Sequence, residues 1–252
     1  KARKHVCVTK PITNTLPEAE VSIRVCRQAG VKLMVGHEMR YRPCFLKFAQ
    51  LLEQGAIGKV SQIVSFFGHQ GGLRSGFSHG WRAQWENVPG GSLNLLGIHN
   101  IDGINMVFGR PVAVSAVCKS LITEGELEDT TQTITEYESG QIAVVGSSYC
   151  SYGGWWITAY GTEATLTVDF NAGVTLQRAE REERYRVVLE NGFVNMFREF
   201  AECIRADRAP SCSGEDGRLA LAVNWASIIS EREKRRVTID EALRHEQPVI
   251  ET

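Results

Sequence analysis

The sequence predicts a mixed α/β chain in which a short piece of parallel sheet precedes a larger, predominantly antiparallel open sheet with flanking helices. Three observations lead to this prediction. A largely apolar run follows a helical pattern near the start of the chain, a series of strand patterns occupies its middle, and two helical patterns close it. With 252 residues, 43% hydrophobic and 23% charged, the chain can bury one large core or two smaller ones.

The first forty residues have the pattern of a strand, a helix and a second strand. Residues 5–9 form a short β-branched strand, and residues 15–28 carry apolar side chains at helical spacing until Gly30 stops the helix. Residues 31–36 are apolar apart from Lys32. Such a strand after a helix is typical of a parallel sheet covered on both faces. We therefore expect one βαβ unit at the edge of an α/β domain.

A second helix leads into a region dominated by strands. Residues 43–53 have one apolar helical side, and residues 59–69 alternate as a strand. A Gly-Gly pair at positions 90 and 91 precedes a helix predicted over residues 92–108. The strand patterns that follow lie at 112–121, 130–137, 141–149, 155–160, 164–169, 174–177 and 185–189. Because tight turn signals separate them, they predict a mainly antiparallel sheet.

Two helices are predicted at the end of the chain, over residues 192–206 and 214–232. The second carries an apolar stripe that includes Leu221 and Trp225. Ser213 precedes it and is a good N-cap residue. These helices are expected to flank the open sheet.

Charge and cysteine content narrow the class of protein. The formal net charge of -1 gives no reason to expect attraction to nucleic acid or to an anionic membrane. The seven cysteines occur singly, without a C-x-x-C pair, so we interpret them as reduced thiols of a cytoplasmic protein. No apolar run approaches the roughly 20 residues that span a bilayer. No metal site is expected, because His37, His69 and His79 are irregularly spaced and lack nearby partners.

Seven short motifs follow one another along the chain. They are HVCVTKP (5–11), VKLMVGHEMRYRP (31–43), GAIGKV (55–60), WR (81–82), GGSLNLLGIHNID (90–102), YGTEATL (160–166) and SGEDGRLAL (213–221). In this order they resemble the motifs of the glucose-fructose oxidoreductase, inositol dehydrogenase and rhizopine-catabolism family. Each motif is weak by itself, but together they cover essentially the entire chain.

The resemblance implies a two-part organisation. Residues 1–40 would be the C-terminal remnant of an NAD(P)-binding Rossmann domain with a partial parallel sheet, and residues 41–252 the C-terminal substrate-binding and oligomerisation domain. In the family, about five further strands come first, including the glycine-rich turn that binds the pyrophosphate. That turn is absent here and residue 1 is lysine, so we expect the sequence to be truncated at its N terminus. Activity would require the missing region.

The same resemblance assigns catalytic roles to Lys10 and His99. In relatives this lysine hydrogen-bonds the reacting oxygen beside the nicotinamide, where a cation stabilises alkoxide character. His99 matches the helix histidine that takes or returns the hydroxyl proton. The alternatives are an exposed lysine at a strand end and a histidine with a structural role.

The remaining implied site residues surround these two. Those expected to contact the cofactor, NAD or NADP, are Thr9, Lys10, Pro11, Glu38, Trp81 and Arg82. Those expected to contact the substrate are Arg40, Tyr41, Leu95 and His99. The alternative for Trp81 and Arg82 is a structural contact in which the aromatic ring packs under the arginine stem. The alternative for Arg40 and Tyr41 is a structural role in which the pair holds two domains together. Three positions depart from the family, because Leu95 replaces an aspartate, Thr9 a glutamate and Glu38 an asparagine.

The leading functional hypothesis is an NAD(P)-dependent dehydrogenase or reductase acting on CH-OH groups. It would transfer a hydride between the nicotinamide and a hydroxyl-bearing carbon of a sugar, inositol or related polyol. The rival hypothesis is a non-catalytic nucleotide- or sugar-binding sensor or scaffold of the same fold, which Leu95 favours because leucine cannot exchange a proton. A third is an incomplete gene product. We also expect a homo-oligomer that buries the open sheet.

Overall fold

The structure is a computed structural model that describes residues 2–74, 76–77, 80–125 and 127–244. Its strands are β1 (Val6–Thr9), β2 (Leu33–Gly36), β3 (Val60–Gly68), β4 (Pro111–Lys119), β5 (Thr130–Tyr137), β6 (Ile142–Ser148), β7 (Gly154–Gly161), β8 (Thr165–Asp169), β9 (Gly173–Gln177), β10 (Glu182–Tyr185) and β11 (Val237–Thr238). Its α-helices are α1 (Leu16–Gln28), α2 (Pro43–Glu53), α3 (Ile98–Phe108), α4 (Phe193–Arg205), α5 (Gly214–Glu233) and α6 (Ile239–Arg244).

The predicted βαβ unit is confirmed. Strands β1 and β2 pair in parallel over four residue pairs, and α1 connects them. Helix α1 begins at a capping box, in which Thr15 accepts a hydrogen bond from the Glu18 backbone while the Glu18 carboxylate accepts one from the Thr15 backbone. Its inward side buries Leu16, Ala19 and Ile23. The local sequence signals therefore define this unit.

The second sheet has nine strands in the order β10-β9-β8-β7-β3-β6-β5-β4-β11. Every neighbouring pair is antiparallel except β3 and β6, which run parallel in the centre. The predicted antiparallel sheet is thus confirmed, with one parallel pair inside it. The last predicted strand, 185–189, is shifted, because its chain turns early and pairs residues 182–185 with β9.

Helix α5 packs against both sheets and does not merely flank one. It contacts α1 and β2 on one side and α3 and β4 on the other. Gly217 permits the close approach to β2, since a Cβ atom there would lie 2.6 Å from a methyl carbon of Val35. The predicted apolar stripe is therefore too narrow a description, because Trp225, Asn224 and Ser227 are all buried.

The face of the large sheet opposite its helices carries exposed apolar side chains. Val117 is 55% exposed, Ile134 49%, Ile142 44% and Tyr160 38%. These residues lie on β4, β5, β6 and β7, so the surface crosses the sheet. No described helix has the length and apolar character needed to cross a membrane.

Candidate functional site

A cavity of about 800 Å³ lies where β1 ends. Its lining includes Thr9 and Lys10 at that strand end, Trp81 and Arg82 from a short 3-10 turn, and Leu95 from the helical turn before α3. These are five of the residues predicted for the site, and distant parts of the sequence thus meet in one place. A volume of this size suits a small molecule or part of a cofactor.

Lys10 is held at the cavity wall by a hydrogen bond. Its ammonium group donates to the backbone carbonyl oxygen of Leu95. Burial and the nearby Arg82 charge lower the pKa of Lys10 to about 8, against a smaller opposing effect of Glu38. The amine therefore carries its proton at neutral pH but loses it within a mildly alkaline range. Pro11 follows Lys10 through a cis peptide bond.

The segment before α3 forms one turn of π-helix, from Leu93 to Gly97. The sequence predicts a single helix over residues 92–108; the first turn of this segment is instead wider, and the α-helix begins only at Ile98. Gly91 leads into it with a φ of +55°, and a Cβ atom there would lie 2.1 Å from the Glu128 carbonyl oxygen. Short π-turns of this kind are frequent at functional sites.

His99 lies in an aromatic environment behind the cavity wall. Its ring centroid is 5.4 Å from that of Trp155 and 5.9 Å from that of Phe67. The buried Nδ1 atom has no hydrogen-bond partner among the described residues. Burial, together with the charge of Lys10, holds the pKa of His99 well below its usual range. The imidazole is consequently neutral at pH 7 and able to accept a proton.

A buried ionic cluster lies close to His99. Arg40 donates to both carboxylate oxygens of Asp102, at 2.6 and 2.7 Å, and the two side chains are almost completely buried. His37 lies 3.7 Å from the same carboxylate, and its ring centroid is 6.4 Å from that of His99. Burial lowers the pKa of His37 to about 4, so this imidazole is neutral as well.

Arg40 and Tyr41 are therefore placed at the junction of the two sheets. Besides Asp102, the guanidinium donates to the Ser211 carbonyl oxygen at 2.8 Å, and the Tyr41 hydroxyl lies 3.0 Å from the Ser211 hydroxyl. Neither residue belongs to the cavity lining. This geometry corresponds to the alternative in which the pair ties the domains together, and a substrate contact by either one stays a prediction.

Glu38 is likewise engaged by protein groups. Its carboxylate accepts three hydrogen bonds of 3.0 to 3.1 Å from Arg42 and one of 2.8 Å from the Gly192 backbone. It does not line the cavity, although its charge acts on Lys10. A direct contact between Glu38 and a cofactor stays a prediction. Arg42, which sequence reasoning missed, also stacks over the Trp155 ring at 4.6 Å.

The cavity lining also includes residues that were not predicted for the site. Three of them are the polar residues His69, Arg74 and Tyr149. His69 follows β3 and Tyr149 follows β6, the two parallel neighbours in the centre of the sheet. Only the strand pairing brings them together, so no local motif could have indicated them.

Metal-ligating groups do not converge in the parts of the chain that the structure describes. His37 and His69 lie in the surroundings already given, whereas His79 is outside the described residues. All seven cysteines are free thiols, as expected from their spacing.

Comparison with known proteins supports the same family. The GFO/IDH/MocA C-terminal domain model matches residues 45–167. The chain is 25% identical to the myo-inositol 2-dehydrogenase of Thermotoga maritima over 260 residues, covering 96% of this chain and 75% of that protein.

Two solved structures have the same fold over nearly the whole chain. One is an oxidoreductase from Desulfitobacterium hafniense, provisionally assigned as NADPH-dependent, with 30% identity and a TM-score of 0.87 over 95% of this chain and 74% of that chain. The other is the aldose-aldose oxidoreductase of Caulobacter crescentus complexed with glycerol, with 28% identity and a TM-score of 0.85 over 94% and 72%. The predicted fold is thereby confirmed, and the chain belongs to the GFO/IDH/MocA family of oxidoreductases.

Proposed function

We propose that this protein transfers a hydride between NAD or NADP and a hydroxyl-bearing carbon of a sugar, inositol or related polyol. The observation that supports it is a protonated Lys10 at the cavity wall whose charge acts on the neutral His99 behind that wall. The names of the relatives, an inositol dehydrogenase and an aldose oxidoreductase among them, agree with this substrate class.

Lys10 stabilises the oxygen of the reacting carbon. Oxidation of an alcohol removes a hydride from carbon and leaves negative charge on oxygen until the proton departs. An ammonium group held in a partly buried wall stabilises that charge more strongly than one in water. Its hydrogen bond to the Leu95 carbonyl fixes one of its three donors, so the other two remain available to the substrate.

His99 is the group proposed to take the hydroxyl proton. A neutral imidazole accepts it during oxidation and returns it during reduction. The lowered pKa keeps His99 in the accepting form throughout the physiological range. Leu95 has no carboxylate that could take part in this proton transfer, so the transfer would depend on the His99 imidazole alone.

Trp81 and Arg82 fit the nicotinamide end of a cofactor. The Trp81 ring is 54% exposed, and the Arg82 guanidinium lies 4.4 Å from its centroid. This arrangement offers a flat, cationic surface at the cavity, next to Thr9 and Lys10. When bound, the nicotinamide supplies the hydride acceptor or donor. Residues 1–40 would belong to the cofactor domain and residues 41–252 to the substrate domain.

The test is hydride transfer measured at 340 nm across a panel of polyols with both cofactors. Lys10→Met should lower kcat by about 10²–10³, and His99→Asn by about 10²–10⁴. Lys59→Met, at an exposed position before β3, is the matched control and should keep full activity. Full activity in Lys10→Met would remove this residue from the mechanism.

A second candidate function, a sensor or scaffold, is favoured by Leu95. If the protein binds NAD(H) but exchanges no hydride with any polyol, this alternative replaces the enzymatic one. Leu95→Asp then provides a direct comparison, because it restores the carboxylate usual in the family. A gain of turnover in that variant would attribute the loss of chemistry to this position.

We also propose that the exposed apolar face of the large sheet is covered in a cytoplasmic homo-oligomer. Four apolar side chains of 38 to 55% exposure lie on four strands of this face, and exposed apolar side chains grouped on one surface mark protein interfaces. Ile134→Lys should shift the molar mass from oligomer to monomer in sedimentation equilibrium. An unchanged mass would rule out this face as the interface.

A further inference from the structure

We propose that the substrate carries an anionic group, a carboxylate or a phosphate, and that the wall formed by His69, Arg74 and Tyr149 binds it. This inference rests on the proposed function and narrows its substrate class to sugar acids or sugar phosphates. The proposed hydride transfer and the proposed cofactor contacts use none of these three residues.

The three residues form one continuous wall. The chain after β3 runs from His69 through a short 3-10 turn to Arg74. That turn is fixed to the end of β6, because the Gly72 backbone donates to the Tyr149 carbonyl oxygen at 2.8 Å. The Arg74 charge also acts on His69, whose pKa is lowered mainly by burial. Backbone hydrogen bonds therefore bring these chain segments next to one another, and all three residues line the cavity.

Each of these side chains carries a hydrogen-bond donor. Tyr149 is only 1% exposed, and its buried hydroxyl has no hydrogen-bond partner among the described residues. Burial raises its pKa, so it keeps its proton. His69 Nδ1 accepts a hydrogen bond of 2.9 Å from the Gly71 backbone, which leaves the proton of the neutral ring on Nε2. Arg74 is exposed and forms no ion pair with any described residue.

The charged residues that line the cavity favour a ligand group that only accepts hydrogen bonds. Lys10, Arg74 and Arg82 line it, and no described aspartate or glutamate does. Lys10 and Arg82 have proposed partners in the reacting oxygen and the cofactor, so Arg74 is the cation that remains. Each hydroxyl of a neutral polyol needs an acceptor as well as a donor, whereas an anionic oxygen needs donors alone.

Two carboxylates act on Tyr149 from outside the cavity. Asp129 is occupied by the backbone N–H groups of residues 121–123, with distances of 2.7 to 3.0 Å. Glu128 is buried, which raises its pKa. Neither carboxylate lines the cavity, so neither can accept a hydrogen bond from a hydroxyl of a neutral polyol bound there.

Isothermal titration calorimetry of the protein tests the inference with matched ligand pairs. The pairs are D-gluconate with D-glucitol, and D-glucose 6-phosphate with D-glucose. One charged ligand should bind at least tenfold more tightly than its neutral counterpart, a difference of about 1.4 kcal/mol. The pair that shows the preference identifies the group as carboxylate or phosphate.

Variants assign the preference to this wall. Arg74→Gln removes only the charge, and Tyr149→Phe removes only the hydroxyl, so each should lose most of the preference. Arg184→Gln, on edge strand β10, is the matched control and should retain it. Equal binding within both pairs, or an unchanged preference in Arg74→Gln, would overturn the inference. So would displacement of the anion by saturating NADH, which would assign the wall to the cofactor.

The outcome is independent of the proposed function. Preferential anion binding without any hydride transfer would support the site and contradict the enzymatic activity. Equal turnover of neutral and charged polyols would support the activity and contradict the site.

Discussion

Lys10→Met should increase the stability of the protein at neutral pH, even though it removes the proposed active-site cation. The pKa of Lys10 is lowered from its usual 10.5 to about 8, so the folded protein holds a charge in an unfavourable, partly buried position. Methionine has a similar length and lacks the charge. The stability gain would therefore come from the same group whose loss is predicted to slow hydride transfer.

The size of the effect follows from the two pKa values. A difference between 10.5 and about 8 corresponds to about 3 kcal/mol, at about 1.4 kcal/mol for each pH unit. Because the side chain is only partly buried by surface area, we expect about 1–3 kcal/mol. Between pH 8 and pH 10.5 the unfolded chain binds more protons than the folded protein, so wild-type stability rises with pH in this range relative to the variant.

Urea unfolding of both proteins at several pH values measures this difference. The advantage of Lys10→Met should be full at pH 7 and disappear by about pH 10.5. Lys59→Met serves as the control and should show no such trend, because Lys59 is exposed. A difference between wild type and Lys10→Met that does not change with pH would refute the reasoning.

Three further predictions concern the site and its support. The kcat/KM of the wild type should fall above about pH 8 as Lys10 loses its proton, and a pH-rate profile without that fall would exclude it as the essential cation. Asp102→Asn should lower the free energy of unfolding by about 3–5 kcal/mol, because it removes the bidentate partner of the buried Arg40 and leaves only the more distant Asp216 at 3.5 Å; urea denaturation would contradict this with a loss below about 1 kcal/mol. Gly91→Ala should cost at least about 2 kcal/mol by the same measurement, since its Cβ would lie 2.1 Å from a backbone oxygen, whereas Gly140→Ala, also at positive φ but with open space, should cost less.

Local sequence patterns predicted the elements whose burial follows from the local sequence alone. The β1–α1–β2 unit was predicted because its last strand is apolar throughout and its helix begins at a strong cap. Helix α5 was predicted in position but not in environment, because its second contact surface depends on a sheet that forms far away in the chain. The shift of β10 has the same origin, since pairing with β9 determines its register.

The site was predicted only where a motif marked it. Lys10 and Leu95 belong to motifs and line the cavity as expected, but their hydrogen bond joins residues 85 positions apart. His37 was considered only as a metal ligand, and its position beside Asp102 and near His99 depends on the tertiary structure. The roles of these residues are still to be measured, whereas the oxidoreductase family predicted from the motifs is confirmed.

The double packing of α5 has a consequence for how the molecule unfolds. This helix shares one surface with α1 and β2 and another with α3 and β4, so neither sheet can separate without exposing it. The Lys10 strand and the His99 helix are thus connected through a common buried element. We expect one cooperative transition in thermal unfolding, with the same midpoint by tryptophan fluorescence and by circular dichroism of the peptide backbone. A change in the relative position of these two segments would have to bend or displace α5, so motions that admit ligands are expected in the exposed turns around the cavity.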